Sequence, residues 1–335
     1  MNSARFLSLA LLFIAFPVRA AELTKAQTAA ERGLKFLQAD AVAWKKERQC
    51  STCHHGTFTL WALLEAKKQG YAIPAETVTE TAAWIKERLK DIDKPRDTRP
   101  GWSMVNSIAL NLSLMATAVD QKEITADELK RIGGHLLRHQ EEDGSWAWSS
   151  APAKNRPPPF FESDEVATLL GYMALNSQLP PKTETKSDVR DSYDKAAAWL
   201  AKVKPADTTQ AAAYRLLVKF RTGTSAKDLQ PEIDAFLKRR NKDGGWGQLP
   251  NAASDAYATG QALYVLSLAG LRNDREEIRG GVAFLVANQK EDGSWPMVRR
   301  GHEGVTPGPF TQPIVYFGSA WATLGLMRTN PIGSK

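Results

Sequence analysis

Gln289-Lys290-Glu291-Asp292-Gly293-Ser294-Trp295 is the stretch of sequence that decides the fold, because its pattern returns along the chain. It recurs at 140–146 and, with Arg240 in place of the glutamine and Gly245 in place of the serine, at 240–246. The tryptophans of the last two copies are 49 residues apart, and those of the first two are 100 apart, which is about twice that spacing. Self-similarity at a period of about 20 to 50 residues is typical of repeat architectures. The spacing therefore predicts a chain built from repeated units.

Each unit contains two kinds of predicted helix, charged before the Asp-Gly turn and nearly free of charge after it. An amphipathic helix keeps one face in solvent, whereas a helix that is apolar all round must be enclosed. The charged stretches, which should form outer helices, are 80–89, 127–139, 192–203, 231–239 and 275–288. The apolar stretches, which should form an inner ring, are 107–118, 166–175, 208–217, 257–268 and 319–326. Strands are not expected, because alternating runs bounded by turn residues are absent.

The residues of the turn itself have packing roles. Glycine accepts the positive φ that ends a helix, and the aspartate side chain bonds neighbouring amides. The tryptophans Trp146, Trp246 and Trp295 would fill the space where adjacent hairpins meet. We therefore interpret the repeated motif as structural.

Gln-x-x-Asp-Gly-Ser-Trp followed by an apolar helix resembles the QW repeat of the squalene cyclase and protein prenyltransferase superfamily, over roughly residues 25–328. The resemblance implies an all-α fold, a single α6/α6 toroid of helical hairpins around a central cavity. Residues 21–335 would form this toroid, with the loop 50–55 in its first hairpin. The resemblance says less about chemistry, because function depends on sites placed on folds.

Composition narrows the class of protein. The chain has 335 residues, of which 43% are hydrophobic and 24% charged, so it can bury a sizeable core and is not a disordered, collagen-like or disulfide-scaffold sequence. The net charge is +7, but basic and acidic residues alternate along the predicted helical faces. Without a basic arm or stripe, nucleic acid is not expected as a partner.

Residues 1–20 read as a secretory signal peptide. Arg5 precedes an apolar run from Phe6 to Phe16, and Val18-Arg19-Ala20 resembles a cleavage site with small flanking residues. An uncleaved membrane anchor is the alternative, although the run is short for a bilayer span. We expect an exported, periplasmic or extracellular protein with no stable membrane span after cleavage.

The segment Cys50-Ser51-Thr52-Cys53-His54 has the Cys-x-x-Cys-His pattern by which haem c is attached. Cys50 and Cys53 would bind the haem and His54 would ligate its iron. Three other residues are candidates for the second axial position, namely Met104, His302 and Met297. A small disulfide is the alternative in an oxidising compartment, and a zinc site formed with His54 and His55 is another.

Acidic residues begin two of the predicted inner helices. Asp164 and Glu165 precede one, and Asp255 precedes another within a matching Ser-Asp context. Helix capping and the helix dipole explain carboxylates at this position. Catalysis is the alternative, since squalene cyclases carry an Asp-x-Asp-Asp proton donor before an inner helix, and inverting glycosidases need two carboxyl groups about 6.5 to 9.5 Å apart.

Three functions follow from these patterns. The first is a toroid with c-type haem at its mouth, acting in electron transfer or haem-based chemistry. The second is a haem-free toroid that binds an apolar or isoprenoid-like ligand in a cavity lined, or filled, by Trp61, Tyr172, Tyr264 and Trp321. The third is a carbohydrate-active enzyme that uses the carboxylates at the mouth. The sequence identifies neither a substrate nor a redox partner, and it leaves enzymatic activity open.

Overall fold

The fold is seen in a computed structural model. It describes residues 23–48, 54–90, 92, 122–147, 163–181, 183, 187–297, 300 and 311–332. Several predicted features lie outside these residues, namely the signal peptide 1–20, the inner helix 107–118, Cys50, Cys53, Met104 and His302.

The described residues form helices, as the sequence predicted. The eleven helices are α1 (Lys25–Arg48), α2 (His55–Lys68), α3 (Ala75–Leu89), α4 (Ala126–His139), α5 (Asp164–Asn176), α6 (Asp188–Lys202), α7 (Thr209–Arg221), α8 (Gln230–Leu237), α9 (Ala256–Leu268), α10 (Glu276–Asn288) and α11 (Thr311–Thr329). Within the described ranges there is no strand, only an isolated bridge between Gly247 and Ser254. None of these helices is long and apolar enough to cross a membrane.

Burial separates the helices into the two predicted kinds. In α2 every residue from His55 to Ala66 is buried, and in α9 every residue from Ala256 to Ser267. By contrast, α6 buries only Ser192 and Ala196. Helices α2, α5, α7, α9 and α11 are inner helices that contact one another in ring order, and the others cover them. The architecture is the expected α/α toroid.

The ring closes where the last inner helix meets the first hairpin. Helix α11 packs against both α1 and α2. Gly33 of α1 leaves room for α11, because a Cβ there would lie 2.2 Å from Thr323 Oγ1. At the end of α11, Ile332 N donates to Gln69 O at 2.7 Å. The two ends of the described chain are therefore joined by packing and by hydrogen bonds.

The repeated motif connects neighbouring units, and each of its residues has an observed role. Gly293 has a φ of +89°, and Asp292 Oδ1 accepts from Ser294 N at 2.9 Å. Trp295 is fully buried, its backbone N donates to Ser319 Oγ at 3.0 Å, and its Nε1 donates to Leu285 O at 2.8 Å. The motif thus ties an outer helix to the inner helix that follows.

The glutamine that opens the motif links consecutive outer helices, a role that the sequence did not reveal. Gln140 Nε2 donates to Ser192 O on α6, and Gln289 Nε2 donates to Ala29 O on α1, both at 2.9 Å. The second of these bonds closes the outer layer of the ring.

Trp295→Ala is expected to lower the free energy of unfolding by about 3 to 5 kcal/mol, because it empties a fully buried indole site. Trp295→Phe keeps most of the ring and loses the hydrogen bond to Leu285 O, so a loss of about 1 to 2 kcal/mol is expected. Urea unfolding followed by circular dichroism measures both. An alanine variant as stable as the phenylalanine variant would contradict this packing role.

Candidate functional site

The segments that lead from outer to inner helices meet at one end of the toroid, which we call the rim. Gln248 precedes α9, and its backbone O accepts a hydrogen bond from Thr209 N, at the start of α7, at 3.0 Å. Arg300, before α11, donates from Nη2 to Gln248 Oε1 at 3.0 Å. Ala206 N, before α7, donates to Glu165 Oε2 at the start of α5 at 2.8 Å. The rim therefore collects residues from widely separated parts of the chain.

A row of three polar side chains, two buried histidines and the partly exposed Asp40, lies at the start of α2. His54 Nδ1 contacts His55 Nδ1, and His55 Nε2 lies 2.9 Å from Asp40 Oδ2 of α1. Asp40 Oδ1 accepts from Gln312 Nε2 of α11 at 3.1 Å. Three helices that meet at the ring closure thus hold these polar side chains in place. Of these residues, the sequence analysis identified only His54 and His55.

Aromatic rings enclose the two histidines. The His55 ring stacks between Trp44, at 4.4 Å between centroids, and Tyr316, at 3.8 Å. The His54 ring lies 5.1 Å from Trp44 and 5.6 Å from Phe317. His55 is fully buried and His54 is 5% exposed, so both imidazoles sit in apolar surroundings.

Burial keeps both histidines uncharged. It lowers the pKa of His54 well below 6.5, and the neighbouring His55 lowers it further. Burial also lowers the pKa of His55, outweighing the hydrogen bond and the charge of Asp40, which raise it. A neutral imidazole is the form that binds metals.

The structure describes only part of the predicted metal and haem ligand set. His54 lies at the rim, whereas Cys50, Cys53, Met104 and His302 lie outside the described residues. Met297 packs against α11, where a Cβ on Gly318 would lie 2.3 Å from its Cγ. Within the described ranges no group of three or more His, Cys, Asp or Glu side chains could hold a metal ion.

Glu165 is the buried partner of an ion pair at the rim. Its Oε1 accepts from Arg215 Nη1 of α7 at 2.5 Å, while its Oε2 accepts the amide of Ala206. Glu165 is 4% exposed as a whole residue, and both of its carboxylate oxygens accept hydrogen bonds from other parts of the protein. This arrangement joins α5 to α7.

The two acidic helix starts differ in which residue caps the helix. Asp255 is the N-cap of α9, and its Oδ1 accepts from Ala258 N at 2.8 Å. In α5 the cap is Ser163, whose side chain accepts from Val166 N, and Asp164 is the first helical residue. Capping thus explains Asp255, whereas Asp164 places its charge in the first turn, where the helix dipole favours it.

Asp255 is the rim carboxyl group that can take up a proton near neutral pH. Its burial raises its pKa to about 6, against the opposing effects of the Ala258 amide, Gln248 and the charge of Arg300. Gln248 Nε2 donates to Asp255 Oδ2 at 2.7 Å, so Gln248 connects Asp255 to Arg300.

Three of the four aromatic residues proposed for the cavity pack on one another inside the ring. Trp61, Tyr264 and Trp321 make mutual edge-to-face contacts with centroids 5.1 to 5.7 Å apart, and all three are buried. Tyr172 instead stacks on Tyr193 of the outer helix α6 at 4.3 Å. The aromatic side chains at this level of the ring come from α2, α9 and α11.

A buried ion pair near the far ends of α2 and α11 was missed by the sequence analysis. Glu65 Oε1 accepts from Arg328 Nη1 at 3.0 Å, and Arg328 Nε donates to Ser267 Oγ of α9 at 2.8 Å. The signal in the sequence was one carboxylate in the buried stretch of α2 and one arginine in α11, both of which are otherwise uncharged. These contacts hold three inner helices together away from the rim.

Comparisons with known proteins agree with the fold. No protein-family model matches the chain. A squalene–hopene cyclase of Zymomonas mobilis is 31% identical over 112 residues, which are 32% of this chain and 16% of that relative.

Two kinds of solved structure share the architecture. A type II terpene cyclase from Scytonema, in complex with geranylgeranyl dihydroxybenzoate, aligns with a TM-score of 0.51 and 16% identity over 91% of this chain and 97% of its own. A polysaccharide lyase aligns with a TM-score of 0.55 and 11% identity over 90% and 97%. The chain thus shares the toroid fold of a terpene cyclase and of a polysaccharide lyase, and at these identities the likeness concerns the fold alone.

Asp255→Asn should stabilise the protein increasingly as the pH rises from about 4 to 6.5. The folded pKa of about 6 exceeds the ordinary 3.8, so the contribution of Asp255 to stability is present below pH 4 and is lost as the pH rises through 6. Asparagine keeps the cap and does not titrate. Urea unfolding at several pH values measures the difference between variant and wild type.

Asp143→Asn is the matched control. Hydrogen bonds from the Ser145 hydroxyl and amide lower the pKa of Asp143, so its contribution is lost only as the pH falls below its ordinary range. The difference in free energy of unfolding between Asp143→Asn and wild type should not rise between pH 4 and 6.5. A flat difference for the Asp255 variant over this window would show that the carboxyl group titrates normally.

Proposed function

We propose that the chain is an exported toroid protein that carries a c-type haem on its rim, bound covalently through Cys50 and Cys53 with His54 as an axial ligand. The observation that carries the proposal is the position of His54. It directly follows the Cys-x-x-Cys pattern, and its imidazole lies at the rim among aromatic rings. An aromatic wall suits the face of a porphyrin, so the donor and its surroundings fit the group.

When bound, haem would supply one-electron or oxygen chemistry at its iron. The chain's own residues would bind and orient it. His54 would ligate the iron, while Trp44 and Phe317 would provide apolar packing beside the porphyrin. The proposed signal peptide at residues 1–20 fits this proposal, because it would direct the chain to a compartment where thiols are oxidised or bound to cofactors.

The second axial position is proposed for Met104 or His302. Met297 is the less suitable residue, since it is 7% exposed and packs against the backbone of α11. A position left open would favour ligand binding or peroxide chemistry over electron transfer.

Expression of the full chain with cytochrome maturation factors should give a protein with a Soret band and a covalently bound haem that survives denaturation. The double variant Cys50→Ser/Cys53→Ser should lose the covalent haem while keeping the helical circular dichroism spectrum. Mass spectrometry and the pyridine haemochrome spectrum measure attachment. Wild-type protein without haem under these conditions, with the two cysteines joined in a disulfide, would overturn the proposal.

A second candidate function is the binding of an apolar or isoprenoid-like ligand inside the ring. The Trp61, Tyr264 and Trp321 cluster favours it, because large aromatic side chains offer apolar contact. Asp255 would be the proton donor in a cyclase-like or carbohydrate-active reaction, since its pKa of about 6 suits an acid, whereas Glu165 is held in an ion pair.

Organic extraction of the protein purified from its native host, followed by mass spectrometry, should release a stoichiometric apolar compound if this second function holds. Trp321→Ala should reduce the amount retained at least tenfold, whereas Trp199→Ala, on the outer helix α6, should not. Extracts identical to those of an unrelated protein purified in parallel would argue against an apolar ligand.

A further inference from the structure

A cavity of about 210 Å³ lies between the inner helix α7 and the outer helix α8. Pockets for drug-sized ligands are usually larger, about 300 to 1,000 Å³, so this one suits a small ligand. On each side the lining residues follow the spacing i, i+3, i+4, i+7, and residues spaced in this way share one face of a helix. They are Ala212, Arg215, Leu216 and Lys219 on one side and Glu232, Ala235, Phe236 and Arg239 on the other.

The middle of the cavity is apolar, and the charges at one of its ends are paired. Leu216 and Phe236 are buried and form the apolar wall. Lys219 lies near the end of α7 that is away from the rim, and its Nζ donates to Glu232 Oε1 at 2.6 Å. The charges at this end therefore compensate each other, and an apolar group is the natural occupant of the middle.

Two arginines line the cavity nearer the rim. Arg215 donates from Nη1 to Glu165 Oε1 at 2.5 Å and from Nη2 to Ala206 O at 3.1 Å. Arg239 donates from Nη2 to Oδ1 of Asp207, just before α7, at 2.5 Å. Both of these carboxylates belong to residues outside the lining, so among the described residues that line the cavity the one acidic side chain lies at the opposite end. The rim end of the cavity is therefore positively charged.

Arg239 has hydrogen-bonding capacity that its ion pair does not use. Its Nη1 is buried and has no acceptor among the residues that the structure describes. The side chain of its partner Asp207 is 72% exposed, so water screens much of that carboxylate's charge. An oxyanion at this end of the cavity would accept hydrogen bonds from Arg239 and compensate its charge.

We propose that this cavity binds a small organic carboxylate, with its oxygens at Arg215 and Arg239 and its apolar body against Leu216 and Phe236. The planar guanidinium group matches the two oxygens of a carboxylate, and such charge-assisted hydrogen bonds are strong. A single negative charge is favoured over the double charge of a phosphate ester, because each arginine already has one carboxylate partner. The site does not depend on the proposed haem.

Isothermal titration calorimetry of the full chain with sodium hexanoate tests the proposal. Hexanoate should bind at one site per chain with a Kd of about 1 mM or tighter. 1-Hexanol has the same apolar body without the charge, and inorganic phosphate has the charge without the apolar body. Each should bind at least about tenfold more weakly than hexanoate, because each lacks one of the two kinds of contact. Hexyl phosphate should not bind more tightly than hexanoate.

Three variants connect binding to the cavity. Arg239→Gln should weaken hexanoate binding at least about tenfold, because it removes a charge-assisted donor. Ala235→Leu keeps every charge and fills part of the cavity, so it should weaken binding by a similar factor. The matched control is Lys238→Gln, which removes the same charge from the adjacent exposed position outside the lining and should leave the Kd within about twofold.

Circular dichroism checks that each variant folds, and Arg239→Gln keeps the test valid if Ala235→Leu does not. In assigned ¹H–¹⁵N spectra, hexanoate should shift the amides of Ala212, Leu216 and Phe236 most. The proposal is overturned if hexanoate does not saturate, if 1-hexanol binds as tightly, or if the folded variants bind like wild type. Shifts confined to the cluster around Trp321 would also overturn it, since the ligand would then lie inside the ring. Tighter binding of hexyl phosphate would overturn the choice of a carboxylate.

Discussion

Enclosure of helices that carry almost no charge is the constraint on which the rest of this structure depends. Helix α9 is buried along nearly its whole length, and it packs against α11 so closely that a Cβ on Gly260 would lie 2.3 Å from the Trp321 carbonyl carbon. Such helices have no face to turn to water, so each must be flanked by other inner helices and covered by an outer one. A closed ring satisfies this requirement, because every inner helix then has two inner neighbours.

Closure of the ring also assembles the candidate site. Asp40 and Trp44 come from α1, His54 and His55 from the start of α2, and Tyr316 from α11. An open row of the same hairpins would leave α11 far from α1, and the histidines would lose part of their aromatic enclosure. The charged pairs Glu165–Arg215 and Glu65–Arg328 contribute in the same way, by connecting neighbouring inner helices at and away from the rim. Glu65 and Arg328 are buried together, whereas Glu165 is buried against an Arg215 side chain that stays partly exposed.

The repeat and the charge pattern of the sequence predicted much of the fold. The all-α class, the division into inner and outer helices and the turn roles of Asp292, Gly293 and Trp295 are local or periodic properties, and the structure confirms them. The proximity of the first and last hairpins also followed from a closed ring. The capping residue of α5 was harder to predict, because Ser163 and Asp164 are adjacent and both are good capping residues.

The hydrogen-bond and ion-pair partners of the site residues could not be predicted from local sequence patterns. Asp40 lies on an amphipathic helix, where a charged residue is ordinarily exposed, and its contacts with His55 and Gln312 depend on the angle at which α1 meets α11. Glu65 and Arg328 are 263 residues apart, so nothing local pairs them. His54 was identified only because the Cys-x-x-Cys-His spacing is itself local.

The contact between Gly33 of α1 and Thr323 of α11 offers the most direct measurement of ring closure. A Cβ on Gly33 would lie 3.3 Å from the Thr323 Cβ, close to the separation of about 3.5 to 4.5 Å found across disulfides. The double substitution Gly33→Cys/Thr323→Cys, made in the Cys50→Ser/Cys53→Ser chain, should therefore form a disulfide in the folded protein, seen by mass spectrometry as two thiols resistant to alkylation until reduction. Two freely alkylated thiols in a natively helical protein would contradict a closed ring and the site that depends on it.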